Sequence, residues 1–241
     1  MSISSLPSPS NTVQNTILSA HAVFEGGGVR GIAHVGALSI AEQQGYRWNH
    51  VAGTSAGAII ASLVAAGYTA PELDAIMRSI DYTRFVASPP CDPLHISDML
   101  QLLMHNGLHN GSYIEEFVRE KLAAKGIQTF GDLLSTDITQ RTDPFLCYRL
   151  TIIASDITNS QMLRLPQDVS SFGLDPDTLD VALAVRMSAS IPFFFEPIML
   201  KHTDGNSSCI VDGGLLSNYP LFLFEQAHMP PEIPTFGFRF A

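Results

Sequence analysis

The chain has 241 residues, of which 46% are hydrophobic and 15% charged, and this is enough apolar material for the core of one large α/β domain. Its formal net charge of −10 argues against a nucleic-acid-binding protein and against tight electrostatic docking on anionic lipids. The three cysteines (Cys91, Cys147 and Cys209) are scattered and odd in number, so neither a disulfide framework nor a zinc site is indicated, and we expect a reducing compartment.

The N-terminal segment is predicted to be a disordered leader over residues 1–20, because it is rich in Ser, Pro and Asn. It has neither the basic region nor the apolar region of a secretory signal. No apolar run in the chain reaches the ~18–20 residues that cross a bilayer. We therefore expect a soluble, cytoplasmic domain over residues 21–241 without a transmembrane segment. A Ser-rich leader is also compatible with a bacterial effector that is delivered into a host cell and contacts membranes peripherally.

The first part of the domain alternates predicted strands and helices. A strand over 21–25 runs into a glycine-rich loop, a helix is predicted over 32–44, a second strand ends at Thr54, and a helix follows over 56–66. This order is typical of a parallel α/β sheet whose functional loops share one edge.

The rest of the chain is predicted to contain elements of both types. Ser112 is expected to cap a helix over 112–125, with Glu115 completing a capping box. Strands over 149–156 and 160–165 are expected to pair across a Thr158-Asn159 turn. Further helices are predicted over 71–80, 96–104, 129–134 and 179–189, and further strands over 193–200, 208–211 and 235–240. Because the chain ends on an apolar strand, we expect it to be truncated at its C-terminal end relative to a longer parent protein.

A sharp strand-to-helix turn is predicted at Gly53-Thr54-Ser55-Ala56-Gly57, which fits the G-x-S-x-G pattern of a nucleophile elbow. Glycines on both sides of Ser55 let the strand and the helix approach closely and tolerate strained backbone angles. The N-terminus of the following helix also points its N–H groups and its positive dipole end towards the serine oxygen. Ser55 is therefore the candidate nucleophile.

The glycine-rich loop allows three interpretations. Gly26, Gly28 and Gly31 match the G-x-G-x-x-G dinucleotide fingerprint, but that site needs an acidic residue at the end of the next strand, and the strand that ends at Thr54 offers none. A P-loop needs a Gly-Lys-Ser/Thr sequence, which does not follow. The third interpretation, which we favour, is an oxyanion hole in which the backbone N–H groups of Gly27 and Gly28 converge on developing negative charge.

A serine nucleophile also needs a group that accepts its proton. In the order typical of hydrolases the histidine of a triad comes late, and His202 and His228 are both expected on surface loops. Asp212 ends an apolar strand and precedes two glycines, and a carboxylate can act as the base where burial raises its pKa. An ordinary Asp-Gly turn explains the same residues.

Three glycine-containing blocks follow one another along the chain: Gly26-Gly27-Gly28-Val29-Arg30-Gly31, Gly53-Thr54-Ser55-Ala56-Gly57 and Asp212-Gly213-Gly214. Together with residues 185–192 and 215–220, they resemble the patatin-like phospholipase family over nearly all of the chain after the leader. The resemblance implies an α/β/α sandwich with a mostly parallel central sheet, and lipid acyl hydrolase activity without a metal or an organic cofactor. It implies that Ser55 is the nucleophile and Asp212 the base without a histidine, that Gly27 and Gly28 supply the oxyanion N–H groups, and that Arg30 adds positive charge nearby.

The resemblance also implies a lipid or membrane-surface substrate of the phospholipase A or lysophospholipase type, and it leaves room for an activating protein partner. Three other functions stay open: a serine esterase with a Ser-His-Asp triad, a nucleotide- or phosphate-binding module that uses the glycine-rich loop, and a catalytically silent scaffold or partner-dependent effector. Arg186 is expected to be a salt-bridged structural residue rather than a ligand of lipid phosphate, and Ser188 and Ser190 are expected to be packing residues. The apolar residues over 94–104 and 193–195 either touch lipid or belong to the core.

Overall fold

The computed structural model describes residues 17–80, 107–109, 111–226 and 233–241. The predicted helix over 96–104 lies outside the described residues, as do Cys91, His228 and the first sixteen residues of the predicted leader. Of residues 107–109 only the backbone is described.

The described part of the chain forms strands and helices joined by short loops and 3₁₀ turns. The strands are β1 (Leu18–Phe24), β2 (Tyr46–Thr54), β3 (Gly107–His109), β4 (Leu150–Asp156), β5 (Gln161–Leu165), β6 (Phe193–Phe195), β7 (Ile198–Lys201), β8 (Ser207–Asp212) and β9 (Thr235–Phe238). The helices are α1 (Ile32–Gln43), α2 (Ala56–Ala65), α3 (Ala70–Ser79), α4 (Ser112–Ala123), α5 (Val181–Ser188) and α6 (Phe222–Gln226).

Seven of the described strands form one mixed sheet in the order β7-β8-β4-β2-β1-β9, with β5 paired to β4. Strands β9, β1, β2 and β4 are parallel to one another, whereas β5 and β8 run antiparallel to β4. β7 is antiparallel to β8 and so has the direction of β4. β3 and β6 form a separate parallel pair. The predicted α/β fold with a mostly parallel sheet is confirmed.

One edge of β4 is shared by two strands that meet end to end. β2 pairs with the first half of β4, up to Thr54 opposite Ile153, and β8 pairs with the second half, where Asp212 lies opposite Ala154. β5 lies along the other edge of β4. Because β2 and β8 run in opposite directions, their C-terminal ends face each other. Asp212, which ends β8, is thereby brought to Ser55, which follows β2, across 157 positions of the sequence.

Alternate residues of the central strands face opposite sides of the sheet. On one side Phe24 and Ile152 are buried in the cluster that contains the apolar faces of α2 and α5. On the other side Val23 and Ile153 pack against Phe224 of α6. Helices therefore cover both faces, which is the α/β/α arrangement that the sequence predicts.

The boundaries of most predicted elements agree with the structure, but two predictions are wrong. β1 begins at Leu18, inside the predicted leader, because it pairs with β2 from Tyr46 onwards. The predicted strand over 193–200 is two strands in different sheets, β6 and β7. The break includes Pro197, which has no N–H to donate to a continuous ladder.

The predicted cap of α4 is also wrong. The helix begins at Ser112, its N-cap residue is Gly111 with φ of 20°, and no side chain caps it. Glu115 pairs instead with Arg119 at 2.7 Å. Glycine is needed at position 111 because an ideal Cβ there would lie 2.2 Å from Nε of the buried Arg186. Close packing against this guanidinium therefore requires a residue without a Cβ at the position before α4.

Candidate active site

The turn between β2 and α2 holds Ser55 at the C-terminal end of the parallel strands. Its backbone is strained, with φ of 56° and ψ of −125°, and the residue is 7% exposed. The glycines on either side are required by close packing. An ideal Cβ on Gly53 would lie 2.3 Å from the carbonyl oxygen of Gly57, and one on Gly57 would lie 2.3 Å from that of Phe24. Helix α2 thus packs directly on β1 and β2, and its N-terminus begins at the serine.

Ser55 and Asp212 form a direct hydrogen bond. Ser55 Oγ donates to Asp212 Oδ2 at 2.6 Å, and Asp212 Oδ1 accepts a second hydrogen bond from the N–H of Gly214 at 2.7 Å. These two bonds fix the plane of the carboxylate. Glycine is needed at position 213, because an ideal Cβ there would lie 2.2 Å from the carbonyl oxygen of Ile153. The serine hydroxyl therefore has a proton acceptor in place, without an imidazole between them.

The surroundings of Asp212 favour proton uptake. Burial raises the pKa of its carboxyl above the usual range, and the hydrogen bonds from Ser55 and from the Gly214 N–H lower it in part. Asp212 is only 6% exposed. A carboxylate with a raised pKa is a stronger base than an exposed aspartate, and this suits it to accept the proton of a serine.

The N–H of Ser55 is held by a side chain from α5. It donates to Ser188 Oγ at 2.8 Å, and the Ser188 hydroxyl donates in turn to the carbonyl oxygen of Ile153 at 2.6 Å. The expectation that Ser188 is a packing residue is therefore wrong. The amide of Ser55 is therefore already used in this conformation and is not available to a ligand.

The glycine-rich loop lies beside the elbow. An ideal Cβ on Gly26 would lie 3.1 Å from that of Ser55, and one on Gly31 would lie 3.3 Å from the first residue of α2. Gly28 has φ of 55°, which favours glycine. Within the described residues, the N–H groups of Gly27 and Gly28 donate no hydrogen bond. No described group therefore competes with a ligand for either N–H.

Arg30 lies on the outside of this loop. Its exposed guanidinium is 4.9 Å from the centroid of the Phe240 ring, and the same ring fills the space that a Cβ on Gly27 would need. The N–H of Phe240 donates to Glu25 Oε2 at 2.7 Å and so ties the ring to the start of the loop. A contribution of Arg30 to oxyanion binding stays a prediction.

An apolar cleft of about 320 Å³ opens beside Ser55. Ser55 supplies the one polar side chain among the described residues that line it. Its walls come from the glycine-rich loop, from α2, α3 and α4, and from the residues after α5, and they include Ile60, Met77, Phe117, Phe194 and Phe195. The exposed side chains of Val29, Ile32 and Ile191 also line it. The cleft can therefore accommodate a hydrocarbon chain next to the serine.

No histidine side chain within the described residues hydrogen-bonds to Ser55 or Asp212. The described histidines contact other groups instead. His34 binds the carbonyl oxygen of Glu25, and His202 binds Ser208 Oγ. His50 binds Gln140, and its ring lies 5.3 Å from that of His21 in a tilted arrangement. His202 lies in the loop between β7 and β8, as predicted, and is half-buried there. The triad histidine that the alternative function needs is therefore absent from the described surroundings of Ser55.

Arg186 is buried and does not line the cleft. Its guanidinium donates to Ser190 Oγ and to the carbonyl oxygen of Glu196, the latter at 2.7 Å, and it lies 5.6 Å from the centroid of Phe195. This geometry agrees with a structural role. The hydrogen-bond acceptors within the described residues are neutral groups rather than the carboxylate of a salt bridge.

A model of the patatin-like phospholipase family matches residues 22–224. The chain belongs to the patatin-like phospholipase family. This assignment confirms the resemblance carried by the three glycine-containing blocks. Among the described residues, none of the helices combines the length and the apolar character that crossing a bilayer requires.

Relatives of this patatin-like chain are longer than the chain itself. It is 44% identical over 212 residues to the uncharacterized protein YqhO of Bacillus subtilis, covering 88% of this chain and 68% of YqhO. It is 24% identical over 206 residues to the probable lipid hydrolase 463L of Invertebrate iridescent virus 6, covering 86% of this chain and 63% of that protein. Among solved structures, VipD from Legionella pneumophila matches 91% of this chain and 49% of its own length, with 16% identity and a TM-score of 0.49.

Ser188 is the residue of the patatin-like site that sequence reasoning missed. It lies within residues 185–192, which carry part of the family resemblance, and that membership is the signal that could have pointed to it. A hydrogen bond to Ser55 across 133 positions has no periodicity or motif of its own. It becomes visible only when α5 is packed against the elbow.

Proposed function

We propose that this chain hydrolyses carboxylic esters of glycerolipids, as a phospholipase A or lysophospholipase, through an acyl-enzyme on Ser55 with Asp212 as the general base. The observation that carries the proposal is the 2.6 Å hydrogen bond from Ser55 Oγ to Asp212 Oδ2 beside an apolar cleft. The first feature supplies an activated nucleophile, and the second supplies a place for an acyl chain.

The reaction uses one proton acceptor twice. Asp212 takes the proton of Ser55 Oγ while Oγ forms a bond to the ester carbonyl carbon, whose oxygen becomes negatively charged. When this intermediate collapses, the bond to the alcohol breaks and the protonated Asp212 carboxyl returns its proton to the leaving oxygen. Asp212 then takes a proton from water, which attacks the acyl carbon. Collapse of the second intermediate returns the proton to Ser55 and releases the fatty acid.

The developing oxyanion is stabilised by the N–H groups of Gly27 and Gly28, which have no acceptor within the described part of the chain, and by the N-terminus of α2. The Ser55 amide does not take part, because it donates to Ser188. Removing one oxyanion donor from a serine hydrolase typically lowers kcat about 10²- to 10³-fold, so the loop carries a large share of the rate acceleration.

The cleft favours a lipid over a nucleotide as the substrate. Its lining offers a hydrocarbon chain apolar contacts and offers a sugar or a phosphate no cationic side chain within the described residues. The exposed apolar side chains of Val29, Ile32 and Ile191 extend the lining to the surface, where a lipid would enter. An activating protein partner and delivery as a bacterial effector stay predictions.

The test is product analysis by mass spectrometry on mixed vesicles of phosphatidylcholine, phosphatidylethanolamine and phosphatidylglycerol. The wild type is expected to release free fatty acid and lysophospholipid, and Ser55→Ala to release neither while keeping the wild-type melting temperature. Ser62→Ala, which removes another buried hydroxyl from α2, serves as the matched control and is expected to stay active. Equal product release by wild type and Ser55→Ala would reject the proposal.

The same preparations separate two of the alternatives. A triad esterase predicts that one histidine substitution abolishes hydrolysis while Asp212→Asn retains it. A nucleotide-binding module predicts that ATP or NAD raises the melting temperature and that a fluorophosphonate leaves Ser55 unlabelled. The proposed mechanism predicts the opposite result in each comparison.

A further inference from the structure

The last turn of α5 and the residues that follow it contact the backbone of both members of the Ser55-Asp212 pair. Ser188 Oγ accepts the N–H of Ser55 at 2.8 Å, and the carbonyl oxygen of Ser190 accepts the N–H of Asp212 at 2.8 Å. One short segment therefore holds the nucleophile and the base relative to each other, although Ser55 follows β2 and Asp212 ends β8, which runs in the opposite direction.

The hydroxyl of Ser188 has only one orientation open to it. A serine hydroxyl offers one donor and two acceptor lone pairs. The donor of Ser188 is used on the carbonyl oxygen of Ile153 at 2.6 Å, so a lone pair faces the N–H of Ser55. The residue is 0% exposed, so no solvent competes for either bond. Ser188 is thus a fixed acceptor anchored on β4.

A fixed acceptor matters here because the backbone of Ser55 is strained. At φ of 56° and ψ of −125°, a residue with a Cβ adopts its conformation only when surrounding contacts impose it. Gly53 and Gly57 allow this conformation but make no bond to the Ser55 amide. The hydrogen bond to Ser188 is the contact within the described residues that determines where that N–H points.

We infer that Ser188 is a positioning residue, which holds Ser55 in the conformation from which Oγ meets both Asp212 and the ester carbonyl. The inference rests on the proposed function and adds to it a residue outside the three glycine-containing blocks. It also explains why the oxyanion donors come from the glycine-rich loop, since the Ser55 N–H is turned away towards α5.

The last turn of α5 and the residues that follow it also connect the Ser188 hydrogen bond to the substrate cleft. Arg186 clamps this segment by donating to Ser190 Oγ and to the carbonyl oxygen of Glu196, while the intervening Phe194 and Phe195 line the cleft. The wall that an acyl chain touches and the support of the nucleophile are therefore parts of one cross-linked loop.

The test is the Ser188→Ala variant, assayed on a soluble short-chain ester with the concentration of active sites titrated by a fluorophosphonate. We expect kcat per active site to fall about 10- to 100-fold, because a misplacement of about 1 Å can cost 10² in rate. KM is expected to change less than about threefold, because the cleft is intact. The pH at which half of the activity remains is expected to stay that of wild type, because Asp212 is untouched.

Ser62→Ala is the control, since Ser62 is also 0% exposed and its hydroxyl also donates to a backbone carbonyl, that of Ile59. If Ser188→Ala folds poorly, Ser188→Cys fills the same space with a weak hydrogen-bond acceptor and is expected to show the same loss of kcat. A kcat per active site within twofold of wild type, or an equal loss in Ser62→Ala, would overturn the inference. Failure of the proposed function has a different signature, in which Ser55→Ala hydrolyses the ester as fast as wild type.

Discussion

The stability of the fold is expected to fall steeply below neutral pH because of His21 on β1. This residue is 1% exposed, and its ring centroid lies 5.3 Å from those of His50 and Phe224. Neither of its ring nitrogens has a hydrogen-bond partner within the described residues. Burial, and to a smaller extent the charge of His50, lower the pKa of His21 from 6.5 to about 4.

The sign and the size of the effect follow from that shift. The folded protein binds this proton more weakly than the unfolded chain, so the stabilisation is fully present above pH 6.5 and is lost as the pH falls from 6.5 towards 4. One unit of pKa corresponds to about 1.4 kcal/mol, so the whole shift is worth about 3 kcal/mol, of which about 2 kcal/mol is lost between pH 7 and pH 5. This is a large part of the roughly 5–15 kcal/mol by which a typical domain is stable.

The assay is urea unfolding of wild type and His21→Phe at pH 7 and pH 5. Phenylalanine keeps the ring stack on Phe224 and removes the titrating group, so the variant is expected to lose about 2 kcal/mol less than wild type between the two pH values. Leu223→Ala, in the same buried cluster, is the control and is expected to lower the free energy of unfolding equally at both. A loss in His21→Phe as large as that in wild type would refute the reasoning.

Three further predictions concern the site and its supports. On the acidic side, kcat/KM is expected to fall to half at a pH above the usual aspartate pKa of about 4, because burial raises the pKa of Asp212 and only its ionised form is a base. A pH profile with this midpoint at or below about 4 would contradict the prediction. Gly57→Ala is expected to abolish the soluble folded protein, because its Cβ would lie 2.3 Å from the carbonyl oxygen of Phe24. Gly36→Ala in α1 is the control, since a Cβ there meets nothing within 4 Å. This variant is expected to raise the free energy of unfolding by about 0.5–1 kcal/mol. Ile60→Phe narrows the cleft, so the kcat/KM of this variant on a series of p-nitrophenyl esters is expected to fall more for long acyl chains than for short ones. An equal fall for all chain lengths would show that the acyl chain does not enter the cleft beside Ile60.

The elements around the nucleophile were predictable because local sequence determines them. Gly53 and Gly57 identify the elbow, and the structure shows that each prevents a clash with a backbone carbonyl close to the turn. The hairpin of β4 and β5 follows from its Thr158-Asn159 turn. In each case the residues that identify the element in the sequence lie within a few positions of it, although the carbonyl that requires glycine at position 57 belongs to Phe24 on β1.

The features that sequence reasoning missed depend on contacts between distant parts of the chain. The N-cap of α4 is decided by the guanidinium of Arg186, which packs where a Cβ at position 111 would lie. The role of Ser188 depends on α5 meeting the elbow, and the split of the strand over 193–200 depends on two different pairing partners. None of these leaves a periodic pattern, so packing rather than propensity determines them.

The central claim is that Asp212 alone activates Ser55. Its most direct test is the second-order rate constant for labelling of Ser55 by a fluorophosphonate, measured in wild type, Asp212→Asn and His202→Gln. The asparagine can still accept the hydrogen bond from the Gly214 N–H, so the elbow keeps its shape while the base is lost. We predict that labelling slows about 10²- to 10⁴-fold in Asp212→Asn and is unchanged in His202→Gln. Labelling of Asp212→Asn within twofold of the wild-type rate would contradict the account.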